Sequence, residues 1–91
     1  MCTYQTERLG VRASAKTPAG WTTMTDATVY FDHPVHYPAG HALMIDVLNP
    51  AKGPSARVAL EMSPQSARDL AEAILHTLDG VPSGLIDEPA P

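Results

Sequence analysis

The chain has 91 residues, a single cysteine and a formal net charge of −4, with six Lys and Arg against ten Asp and Glu. The length predicts one domain, the lone cysteine excludes a disulfide within the chain, and the absence of a basic run argues against nucleic acid binding. No apolar run approaches the roughly 20 residues of a membrane span, and the N-terminal segment lacks the apolar region of a signal peptide. We therefore expect a cytoplasmic protein that binds neither nucleic acid nor membrane.

The first half of the chain predicts two β-strands. Apolar and polar side chains alternate over residues 2–16, which is the period of a strand. Turn residues follow at 17–20. Residues 27–32 are rich in β-branched and aromatic types and predict the second strand. Pro34 and Pro38 then end it, since each lacks an N–H group.

The second half predicts two more strands and a helix. Residues 42–48 and 56–62 carry the strand pattern on either side of a Pro- and Gly-containing loop. Ser63 is a helix N-cap followed by proline at the first helical position. The helix runs over 64–78 with an apolar stripe at helical spacing. Gly80 fits the left-handed position that often ends a helix.

These elements predict an α+β fold: a four-stranded antiparallel sheet followed by one C-terminal helix packed on one face, in the order ββββα. Residues 1–79 form the domain, and residues 80–91 are expected to be a flexible, disordered Pro-rich tail. The face away from the helix carries apolar side chains, namely Tyr30, Ala42, Met44 and Leu48. A domain of this size is marginal alone, so we expect a homo-oligomer, most simply a homodimer. The alternative is that these residues are scattered surface apolar groups.

Three of the four histidines fall between Asp32 and His41. Imidazole binds Zn, Fe, Cu and Ni, so His33, His36 and His41 are candidate ligands of a divalent transition metal, with Asp32 or Cys2 as an additional ligand. On a regular strand, His33 and His36 would point to opposite faces. They can bind one metal only if Pro34 turns the chain, or if another subunit supplies the missing ligand. The alternative is that they are ordinary histidines of a polar loop.

Acid–base chemistry has three candidate residues. Asp32, Tyr37 and Asp46 are the candidate catalytic groups, and Asp32 with His36 is a candidate proton-transfer pair. Asp46 interrupts an apolar strand, and so it lies either on an exposed sheet face or in a pocket where its pKa would be raised. No nucleophile with a recognisable context accompanies them, and the sequence leaves open whether the protein is an enzyme.

Two functions therefore compete. The first is a small metalloprotein, or a small metalloenzyme acting on a small polar metabolite, with its metal in the histidine loop. The second is a non-catalytic homo-oligomer that binds a small molecule or a protein on its open sheet face. No cofactor other than the metal is expected.

Four segments carry a resemblance to a known family: MCTYQTE at the start, ATVYFDHPVH and IDVLNPAKGPSARVALE in the middle, and SARDLAEAIL in the helix. Together they resemble a family of small actinobacterial proteins of unknown function, over residues 1 to about 78. The resemblance implies a bacterial cytoplasmic protein. It implies no activity, because none is assigned to the family.

Overall fold

The computed structural model describes residues 4–86. It confirms the α+β fold in the predicted order, with strands β1 (Gln5–Thr17), β2 (Gly20–Asp32), β3 (Ala42–Leu48) and β4 (Arg57–Met62) and helix α1 (Pro64–Asp79). The four strands form one antiparallel sheet in chain order, so β1 and β4 are its edges. Two short 3-10 helices lie at Pro50–Lys52 and Ser83–Leu85. No helix within this part of the chain is long and apolar enough to cross a membrane.

Strand β2 begins seven residues before the predicted start at residue 27, because the β1–β2 hairpin is longer than the alternation pattern indicates. Its turn closes at Gly20, whose φ of 113° is a conformation that favours glycine. From there β2 pairs with β1 along almost its whole length, with one irregularity between Gly10 and Ala13. The threonines of this arm favour extended backbone, and pairing satisfies their N–H and C=O groups.

The buried core is small and consists of short or flexible side chains: Met24, Ala27, Ala42, Met44 and Ala56. Asn49 is the one buried polar residue among those described, and its amide is satisfied. Its Nδ2 donates to the carbonyl of Thr23 at 2.9 Å, and its Oδ1 accepts the N–H of Ala51 at 3.1 Å. Asn49 therefore ties the β1–β2 hairpin to the loop between β3 and β4.

The register divides the sheet into two faces. Tyr30, Met44 and Glu61 lie side by side on one of them, and we call it the polar face. Val29, Ile45 and Leu60 lie side by side on the other, and we call it the apolar face. The side chains of successive residues alternate between these faces.

The polar face is less open than the sequence suggests. The segment of residues 33–41 between β2 and β3, which we call the β2–β3 loop, reaches the end of β4 on this face. Met44 beneath it is only 6% exposed. Met44 therefore packs within its own chain, and a charge placed there would disrupt that packing rather than probe an interface.

Helix α1 begins as predicted. The Oγ of Ser63 accepts the N–H of Ser66 at 3.1 Å, and Pro64 occupies the first position. The prediction for its end is wrong: Gly80 has φ −86° and ψ −5°, a right-handed conformation. Its N–H bonds to the carbonyls of His76 and Thr77, so the last turn closes without a positive φ.

The apolar stripe of helix α1 stays largely exposed within the described part of the chain. The helix lies nearest to β3, yet Ala67 is its only half-buried residue. The large apolar side chains of the stripe are 42–63% exposed: Leu70, Ile74, Leu75 and Leu78. Of the predicted tail, residues 80–86 contain the 3-10 helix at Ser83–Leu85, and residues 87–91 lie outside the described residues.

Candidate functional site

An open cavity of about 670 Å³ lies on the polar face, between the β2–β3 loop and strands β3 and β4. Met44 and Asp46 of β3 line it together with Tyr30 of β2. His36 and Tyr37 line it from the loop. The strand alternation that places Tyr30 and Met44 on one face and the fold-back of the loop together create this space.

Asp46, Tyr30 and Arg57 form a hydrogen-bonded cluster in the cavity. The Tyr30 hydroxyl donates to Asp46 Oδ2 at 3.2 Å, and Arg57 Nη2 donates to the same oxygen at 3.0 Å. The register brings them together, since β2, β3 and β4 are neighbours and these residues share a face. Three strands therefore contribute one side chain each to the cluster.

The pKa values of the two donors follow from these contacts. Burial raises the pKa of Tyr30, and the nearby charge of Asp46 raises it further. The hydrogen bond to Asp46 and the attraction between the two charges raise the pKa of Arg57. At neutral pH Tyr30 therefore stays protonated and acts as a donor, while Arg57 stays charged.

The second oxygen of Asp46 has no partner. Oδ1 is buried and accepts no hydrogen bond from any residue in the described range 4–86. The Asp46 side chain as a whole is 17% exposed, so the residue lies on a sheet face but inside the cavity and not on an open surface. A buried acceptor without a donor costs about 1–3 kcal/mol.

Glu61 fixes the wall of the cavity. Its carboxylate accepts three consecutive backbone N–H groups of the β2–β3 loop, those of Val35, His36 at 2.9 Å and Tyr37 at 2.7 Å. These bonds, with that from Tyr37 the strongest influence, hold the pKa of Glu61 below its ordinary value. The loop is thus fastened to β4, two strands away from the strand that it follows.

The predicted metal ligands separate into two groups. The rings of His33 and His41 lie with centroids 4.5 Å apart, and His41 also stacks on Phe31. His36 lies elsewhere, on the cavity, with its N–H bound by Glu61. Across residues 4–86, no three His, Cys, Asp or Glu side chains come together in a geometry that could hold a metal ion.

The His33–His41 pair has its own hydrogen bonding. His33 Nδ1 donates to the carbonyl of Gly40 at 2.6 Å. His41 Nε2 is buried and has no partner among the residues the structure describes. Asp32 Oδ1 accepts the N–H of His33 at 2.6 Å and so shapes the start of the loop. Two imidazoles are fewer than the three or four ligands of a zinc site. A metal on His33 and His41 therefore stays a prediction that needs a further ligand, from Cys2, which lies outside the described residues, or from a second subunit.

The comparison with known protein families now bears on this site. A family model matches residues 1–87, almost the full length of the chain. The chain belongs to DUF6295, a family of unknown function. No curated protein and no solved structure matches the sequence. For this DUF6295 protein the site must therefore be interpreted from its own chemistry.

Two residues of the DUF6295 site are not predicted by the sequence. Arg57 and Glu61 look like ordinary strand charges, because alternation places them on an outward face. The strand register would have indicated Arg57 in part, since it places Arg57 on the same face as Tyr30 and Asp46. For Glu61 no local signal exists, since its partners lie 24–26 residues earlier in the chain.

Proposed function

We propose that this protein binds a small, largely apolar molecule in the polar-face cavity, and that Asp46 accepts a hydrogen bond from it. The observation that carries this proposal is the buried, unpartnered Oδ1 of Asp46. Natural ligand sites are typically cavities of about 300–1,000 Å³ with mostly apolar walls and a few polar groups. The cavity of about 670 Å³, with Met44 and Tyr37 beside the Asp46 cluster, fits that description.

The chemistry of the cluster narrows the ligand to a hydrogen-bond donor. A carboxylate only accepts hydrogen bonds, and its Oδ2 is already taken by Tyr30 and Arg57. A hydroxyl or N–H on the ligand would supply the donor that Oδ1 lacks. The ligand needs no positive charge, because Arg57 already balances the charge of Asp46.

The cluster favours binding over acid–base catalysis. The raised pKa of Tyr30 keeps its phenol protonated at neutral pH, so that it serves as a donor to Asp46 and not as a base. Arg57 is likewise a fixed cation. Among the candidates for catalysis, Asp46 and Tyr37 thus acquire a role in ligand contact. We also propose a cytoplasmic location, on the single cysteine of the chain.

Matched pairs of small compounds test this function. Phenol with anisole, and indole with N-methylindole, differ in the presence of the donor while their apolar bodies are similar. Binding is followed by the amide chemical shifts of Tyr37 and Asp46 in ¹⁵N-labelled protein. We expect saturable shifts with phenol or indole, and much weaker shifts with the two methylated compounds.

Two variants complete the test. Asp46→Val removes the acceptor and is expected to abolish the shifts, while Asp26→Val removes an exposed aspartate of the same face and is expected to retain them. The proposal fails if the methylated compounds shift the amides as strongly as their parents. It also fails if Asp46→Val binds as well as the native protein.

A metal site remains a second candidate, on the observation that the His33 and His41 rings lie side by side. We propose that Zn, Fe, Cu or Ni would bind there only with a further ligand, from Cys2 or from another subunit. Elemental analysis of untagged protein, before and after metal addition, tests this. We expect His33→Ala to lose the metal and His76→Ala, on the helix, to keep it. The absence of stoichiometric metal in the native protein after metal addition would reject this candidate.

A further inference from the structure

The apolar face of the sheet is only half covered. Val29 and Ile45 at its centre are half-buried, although they belong to the interior strands β2 and β3. Leu9 and Leu60 on the edge strands are 49% and 46% exposed. An interior strand of a small sheet normally gains its stability by burying one such face. Among residues 4–86, this face is therefore covered only in part.

Helix α1 likewise has an apolar face without a packing partner among the described residues. Sixteen residues form it, and none of them is buried. An isolated helix of that length is marginal in water, and most helices in proteins are stabilised by packing of an apolar face. The stripe formed by Leu70, Ile74 and Leu78 is suited to cover a sheet, but in the chain it lies exposed.

The accessible surface and the radius of gyration of the chain also exceed those of a compact monomer. The chain exposes 6942 Å², about 1,800 Å² more than the roughly 5,100 Å² of a folded monomer of its mass. Its radius of gyration is 14.8 Å, against about 12 Å for a compact domain of this length. A standard protein–protein interface buries only about 800 Å² on each partner. One chain thus exposes enough surplus surface for a complete dimer interface.

We propose that the apolar face and helix α1 form the interface of a homodimer in which each helix packs on the sheet of the other copy. One chain offers one sheet face that needs a helix and one helix that needs a sheet, so two copies related by a twofold axis satisfy both at once. No different partner is required. The interface lies opposite the polar face, so the ligand cavity stays open in the dimer.

Sedimentation or light scattering tests the oligomeric state. We expect the native protein to have twice the mass of its 9.7 kDa chain. Ile74→Lys places a charge at the centre of the stripe and is expected to halve that mass, as a folded or an unfolded monomer. Glu72→Lys makes a larger charge change on the opposite side of the helix and is expected to leave the dimer intact. Lysine is a good helix former, so neither change weakens the helix itself.

A second measurement identifies the surface even if Ile74→Lys does not fold. In a dimer of mixed isotope labelling, we expect intermolecular nuclear Overhauser effects between the methyl groups of Ile74 or Leu78 and those of Ile45 or Leu60. A monomeric native protein overturns the proposal, whatever else covers the face. A dimer that survives Ile74→Lys overturns it as well, as do helix–sheet effects that arise only within one chain.

Discussion

Replacing Asp46 by valine should make the protein more stable while it destroys the proposed ligand site. The change removes the unpartnered Oδ1, which relieves a cost of about 1–3 kcal/mol. It also removes the ion pair with Arg57, which is worth only about 0–1 kcal/mol because the arginine is 49% exposed. Loss of the Tyr30 hydrogen bond, which at 3.2 Å is long for a hydroxyl donor, subtracts about 0.5–1.5 kcal/mol. Valine in place of aspartate in a strand adds up to about 1 kcal/mol.

The free energy of unfolding should therefore rise by about 1 kcal/mol, which corresponds to about 4–8 °C in Tm for a domain of this size. Urea denaturation at one fixed protein concentration measures it. Asp26→Val is the control at an exposed position of β2. It brings the same strand preference but loses the hydrogen bond from the Thr25 hydroxyl, so we expect a net change within about 0.5 kcal/mol. If Asp46→Val is less stable than the control by about 1 kcal/mol or more, the cluster is a stabilising network and the reasoning from Oδ1 is refuted.

Three further outcomes follow from the contacts described. The pKa of Glu61 lies below its ordinary value of 4.5 in the folded chain. Its bonds to the β2–β3 loop should therefore persist at pH 4.5 and be lost only when the pH falls through the lowered pKa. An NMR titration of the Tyr37 amide checks this, and a transition near neutral pH would contradict the prediction. Met24 is the one large side chain that is fully buried among residues 4–86, so Met24→Ala should lower the free energy of unfolding, measured in urea, by about 2–5 kcal/mol. Val35→Ala, at an exposed position, should change it little. Ser63→Ala removes the N-cap bond of helix α1 and should lower the free energy of unfolding by about 0.5–2 kcal/mol. Circular dichroism would show this as a lower Tm. Ser63→Thr keeps the hydroxyl and should retain most of the native stability.

The elements that the sequence predicts well are those with a local signal. Strand β3 has the predicted bounds, because apolar side chains alternate along it without interruption. Helix α1 starts where Ser63 caps it and Pro64 occupies its first turn. The first half of β2 has no such signal. Its residues pair with β1 in a hairpin, and the one buried side chain there, Met24, stands among threonines and so forms no run of alternating apolar residues.

The site is predictable only where strand alternation decides it. That alternation places Asp46 and Tyr30 on one face. The sequence indicates Asp46 as a candidate catalytic group, but Tyr30 only as an apolar side chain of the open sheet face. The path of the β2–β3 loop cannot be predicted from the loop's own residues, because it depends on the distant Glu61. The middle of the loop bonds to Glu61, while its two ends meet where the rings of His33 and His41 lie side by side. His36 is therefore separated from the other two histidines. Proximity in sequence therefore overstates how close the three imidazoles lie.

The attachment of the β2–β3 loop to Glu61 couples the cavity to the edge of the sheet. Loop amides usually exchange with solvent through small local fluctuations, but the acceptor of the Val35, His36 and Tyr37 amides is a side chain of β4. β4 is an edge strand that pairs only with β3 among the described strands. Whenever β4 detaches, the cavity loses its wall as well. The population with an intact cavity therefore cannot exceed the population in which β4 is paired, and a ligand of the proposed kind would slow hydrogen exchange along the sheet edge.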